Sequence, residues 1–141
     1  MGHGRFVVFY LLCGIAAGFA QVLANPSSTI PMVGASGAIG GVLGAYLLLH
    51  PYARVLVLIP LGFFTQLIRV PAYIVLGLWC VLQFLYSAMT AGETGGGVAY
   101  FAHIGGFVTG AALIFVFRRR GVVLGALARR RGRTRRRGPW G

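Results

Sequence analysis

The chain has 141 residues, 57% hydrophobic and only 10% charged, with a net charge of +12. A soluble domain carries about 25% charged residues, so lipid must solvate part of this surface. With Glu93 as its one acid, the chain excludes chemistries built on carboxylate pairs and the acidic relays of proton-coupled transporters.

A transmembrane helix needs roughly 20 mostly apolar residues. Residues 6–24 supply the first such stretch, directly after Arg5. Its end, Val22-Leu23-Ala24 before Asn25, also fits a signal-peptide cleavage site. Cleavage there would leave three spans with unchanged orientation. Residues 32–50 form the second span, which opens Val33-Gly34-Ala35-Ser36-Gly37. The apolar run at 55–68 is too short to cross and is broken by Pro60, so it is expected as an interfacial or re-entrant segment. Residues 71–90 and 98–117 complete four spans. The expected fold is all-α: a polytopic bundle over 1–117, followed by a tail over 118–141.

That tail changes composition abruptly, with three Arg from Arg118, an apolar piece to Ala128, and seven more Arg before Pro139-Trp140-Gly141. It is too short and too charged to build a core, so disorder or a surface-lying helix is expected. Anionic lipid headgroups are its expected partner, worth up to about 1 kcal/mol per Arg near the surface. Nucleic acid or an acidic protein is the lesser reading, because charge alone is an unspecific footprint. Four spans put Arg5, Arg54, Arg69 and the tail on one face, while the loops at 25–31 and 91–97 hold no basic residue. The positive-inside rule then sets both termini in the cytoplasm, and the expected location is a bacterial cell membrane. Five spans would scatter the arginines over both faces.

Cys13 and Cys80 fall within spans, where they read as small packing side chains rather than a disulfide. His3, His50 and His103 are far apart, with neither HExxH nor CxxC spacing, so no metal or other cofactor is expected.

The informative residues are polar side chains inside spans. Ser36 sits about four residues below the outer end of its span, and His103 about five below the outer end of the last, depths of roughly 6–8 Å at 1.5 Å per residue. His50 lies about 21 Å further along the Ser36 helix, and His3 belongs to the other face. Only His103 can meet Ser36. Gly37, Gly40, Gly41 and Gly44 line one helix, and Gly106 and Gly110 repeat the small-xxx-small spacing below His103, so two backbones can close in. A Ser and a His within reach form a nucleophile–base pair. No Asp or Asn is evident to orient the imidazole, which leaves a dyad. The bland alternative is a packing serine bonded to its own helix. Gln83, Ser87 and Thr90 form a polar stripe at i, i+4 and i+7, read as ordinary interhelical hydrogen bonding.

These residues resemble the rhomboid intramembrane serine proteases. Gly34-Ala35-Ser36-Gly37 is similar to the family's GxSG motif, and Ala102-His103-Ile104-Gly105-Gly106 with Gly110 to its AHxxGxxxG motif. Arg5-Phe6 through Leu12, and Val70-Pro71-Ala72 to Trp79 and Gln83, also look like rhomboid segments. The resemblance runs from Gly2 to about Arg118 and implies the third to sixth helices of a six-helix core. It implies Ser36 as nucleophile, His103 as general base, a transmembrane protein as substrate, cleavage near the outer membrane face, and a mobile helix at 71–90. The family's first two helices, one bearing an oxyanion-supporting His and Asn, have no counterpart in these residues. Met1 falls where a cytoplasmic turn would be. The expected oxyanion donors are therefore the backbone N–H groups of Ala35 and Ser36. A non-catalytic rhomboid-like protein that binds transmembrane helices through its glycine-lined faces is the alternative. Gly40 stands where some rhomboids have an aromatic residue stacked on the histidine, and this is expected to leave the imidazole freer.

Overall fold

Glycine and proline punctuate the apolar runs into six elements. In the computed structural model, described over residues 1–29, 31–32, 34–61, 64–89, 99–119, 121–122 and 124–125, these are α1 (His3–Ala24), α2 (Ser36–Leu49), β1 (Arg54–Leu61), β2 (Phe64–Pro71), α3 (Ala72–Met89) and α4 (Tyr100–Phe117). Helices dominate, and the sheet is a minor two-stranded hairpin. Three helices, α1, α3 and α4, are long and apolar enough to cross a membrane. Thr90, Glu93 and the tail from 126 onward lie outside the described residues.

Two expected segments come out differently. α2 has 14 residues instead of filling 32–50, because Gly34 takes φ +123°, a conformation open to glycine and foreign to the helix. The helix starts only at Ser36. The run at 55–68 folds as an antiparallel hairpin, in register from Arg54 opposite Pro71 to Leu61 opposite Phe64. Val55, Val57 and Ile59 are half-buried while Leu56 and Leu58 are exposed, the period-two alternation of a strand. The hairpin leads straight into α3, whose first N–H groups are taken by the preceding loop: Ala72 donates to the Ala53 carbonyl at 2.8 Å and Tyr73 to that of Pro51 at 3.0 Å.

α1, α2 and α4 form one tight unit. On α1, Phe9, Cys13 and Ala17 are buried at spacings of four, and on α4 Ala102, Gly106, Gly110 and Ile114 repeat that spacing. Rows of this kind bring one helix face against another. α2 is buried along Gly37, Ala38, Gly40, Gly41, Gly44 and Ala45 and packs chiefly on α4. The approach is backbone to backbone. A Cβ on Gly106 would meet the Gly37 carbonyl oxygen, one on Gly110 that of Gly41, and one on Gly44 that of Phe107. The bulky buried side chains Phe9 and Ile114 lie toward the opposite end, where with Cys13 and Ala45 they make the apolar core and Phe9 packs edge-on to Phe117 at 5.7 Å. There Arg5 donates to the Val116 carbonyl at 2.7 Å and lies over the Phe117 ring, satisfying one of the carbonyls that a helix end leaves open.

Candidate functional site

Ser36 is the first residue of α2 and is exposed. Ala35 caps the helix with φ −87° and ψ 10° and makes no side-chain cap bond. The Ile39 N–H donates to the Ala35 carbonyl at 3.1 Å, so the N–H groups of Ala35, Ser36, Gly37 and Ala38 have no acceptor within the helix. These donors lie beside the Ser36 hydroxyl at the positive end of a helix dipole. The positive φ of Gly34 is what turns the chain into this start.

His103 sits in the first turn of α4, half-buried. The glycine seam sets its level relative to Ser36: a Cβ on Gly37 would lie 3.2 Å from the Ala102 carbonyl oxygen, and one on Gly40 2.9 Å from that of His103. The starts of α2 and α4 are thus neighbours. The Ser36 hydroxyl and the His103 ring are not joined by a hydrogen bond in this structure; the imidazole's partner lies on the other side. His103 Nδ1 is 2.8 Å from Gln83 Oε1 of α3, and the Trp79 ring, one turn earlier on α3, lies 5.9 Å from the imidazole at 36°. His50 caps the far end of α2 and packs against Tyr46, and His3 opens α1. Neither is near Ser36.

The expectation that Gly40 leaves the imidazole freer is therefore corrected. Gly40 does lack a ring, and a Cβ there would lie 2.9 Å from the His103 carbonyl oxygen. Trp79 and Gln83 hold the imidazole instead. The polar stripe of α3 also divides: Gln83 reaches across to α4, whereas the Ser87 hydroxyl donates to the Phe84 carbonyl of its own helix at 2.9 Å. Gln21 was not singled out in the sequence. Its Oε1 accepts the Ala102 N–H at 3.2 Å, so amides from α1 and α3 both engage the first turn of α4. The signal was there: an amide near the end of an otherwise apolar helix must find a partner.

A family model described as Rhomboid domain matches residues 1–120. No curated protein and no solved structure matches the chain.

Proposed function

The chain belongs to the rhomboid family and is an integral membrane protein, and on that premise we propose that it is an intramembrane serine endopeptidase using Ser36 and His103. The family match and three apolar helices support the membrane setting. The observation that carries the catalytic reading is the glycine seam, which brings the starts of α2 and α4 side by side. Ser36 Oγ attacks the scissile carbonyl while His103 Nε2 takes its proton. The negative oxygen of the tetrahedral intermediate faces the open N–H groups at Ala35 and Ser36, where losing one donor typically costs about 10²–10³ in turnover. His103 then returns the proton to the leaving amine, and a water activated by the same imidazole releases the acyl group from Ser36. Catalytic hydrogen bonds are often long in the unliganded state and tighten on substrate, in keeping with the exposed Ser36 hydroxyl.

By the arginine distribution both termini face the cytoplasm and the site faces the outer side of a bacterial cell membrane. Arg5, Arg118 and Arg119 line a cleft of about 550 Å³ at the opposite end of the bundle, in keeping with anionic headgroups around the Arg-rich tail. The alternative, a non-catalytic helix-binding protein, draws on glycine faces that α2 and α4 already use on each other.

The test uses the full chain in phospholipid vesicles, a reporter with a single transmembrane segment, and a fluorophosphonate that labels activated serines. Wild type is expected to cleave and to label. Ser36→Ala is expected to do neither, with turnover down by at least about 10³-fold. Cleavage that survives Ser36→Ala would overturn the proposal.

A further inference from the structure

The histidine has a partner that the dyad reading does not use. Gln83 is 9% exposed and, with Ser87, makes up the buried polar side chains among the described residues. Burying an amide in an apolar helix is costly unless it is hydrogen-bonded. Ser87 is satisfied within α3; Gln83 instead crosses to His103 Nδ1 at 2.8 Å. An amide oxygen has only lone pairs to offer. Nδ1 must therefore carry the hydrogen, and the neutral ring keeps its free lone pair on Nε2. Free imidazole side chains in water favour the opposite tautomer, with the hydrogen on Nε2, which cannot accept a proton there. Trp79, four residues before Gln83 on the same face of α3, limits rotation of the ring from the same side.

We propose that Gln83 is the positioning residue of His103: its Oε1 accepts the Nδ1 hydrogen, fixes the ring plane and leaves Nε2 free to take the Ser36 proton. This rests on the dyad reading above. It gives the neutral amide of α3 the orienting task that an Asp performs in serine-protease triads, without a buried charge. Gln83 touches neither substrate nor reacting atoms; it acts through His103.

The experiment compares the full chain with Gln83→Leu, which keeps bulk and removes the acceptor, and Gln83→Glu, which keeps an acceptor oxygen at the same reach. Thermal unfolding establishes that each variant is folded. With the reporter, Gln83→Leu is expected to lower kcat by about ten- to a hundredfold, as loss of an outer hydrogen-bond partner does elsewhere, with little change in KM. Gln83→Glu is expected to recover most of that loss. In parallel, ¹⁵N-histidine NMR on the same samples is expected to show the hydrogen on Nδ1 of His103 in wild type and on Nε2 in Gln83→Leu. A folded Gln83→Leu with unchanged kcat overturns the proposal. So does a wild-type spectrum with the hydrogen on Nε2, the result of a reversed amide. If Gln83→Leu does not fold, the wild-type spectrum and Gln83→Glu decide. Absence of Ser36-dependent turnover in wild type would instead sink the dyad reading, while the spectrum still reports whether Gln83 holds the ring.

Discussion

Gly106 and Gly77 occupy helices of equal length, α4 and α3, 18 residues each, yet their surroundings have nothing in common. A Cβ on Gly106 would run into the Gly37 carbonyl; a Cβ on Gly77 would find no atom within 4 Å. The contrast extends to the whole helices. α1, α2 and α4 hold one another through close backbone contact along the glycine seam, with larger side chains at the Phe9–Ile114 end. α3 leans on α4 through side chains: Gln83 and Trp79 on His103, Trp79 on Phe107 at 6.0 Å, and Tyr86 stacked on Tyr100 at 5.7 Å. Leu78, Val81, Phe84, Leu85 and Met89 of α3 are exposed. Lipid tails are as apolar as leucine, so association between membrane helices comes from close packing or polar pairs rather than from hiding surface. The first solution builds a rigid frame. The second leaves α3 attached at a few points, and one of them is the histidine.

The largest effect expected on stability is in the frame. Gly106→Ala forces the α2–α4 seam apart and is expected to cost at least about 1–3 kcal/mol, the range for overpacking a filled interior; thermal unfolding in micelles measures it. Trp79→Ala comes next. It removes two aromatic contacts, each worth about 0.5–1.5 kcal/mol beyond burial, and is expected to destabilise less than Gly106→Ala while lowering reporter cleavage. The smallest effect has the opposite sign. Gly77→Ala adds a methyl in open space within a helix and is expected to be neutral or to stabilise by up to about 1 kcal/mol. Equal losses from Gly77→Ala and Gly106→Ala would erase the distinction between the two regions.

The frame was legible because it is written in one dimension. Apolar runs of sufficient length gave the long spans, and glycines at spacings of three and four marked which faces approach. The hairpin was not legible for a physical reason. Leu56 and Leu58 on its exposed side are as apolar as Val55 and Val57 on the other, so its alternation exists in burial and not in polarity. α2 was read too long since Met32 to Ala35 are apolar or small, and only the backbone shows Gly34 ending the helix. At the site, Ser36 and His103 stood out by motif and depth. Their levels match through the seam, but the ring's actual partner depends on how α3 leans on α4. Gln83 appeared in the sequence as one member of a stripe, and nothing in the stripe distinguishes it from Ser87.

The hydrogen bond from Arg5 to Val116 spans 111 positions of the chain, and α1 packs chiefly on α4. During synthesis the first helix enters the bilayer long before its principal neighbour exists. Until then the Gln21 amide lies without the Ala102 N–H that it accepts in the finished protein. α1 and α2 can pair as they emerge, Ala17 at Gly37 and Cys13 at Gly41, whereas most of the packing on α1 waits for α4. The three-helix unit is therefore completed only when α4 docks against both α1 and α2.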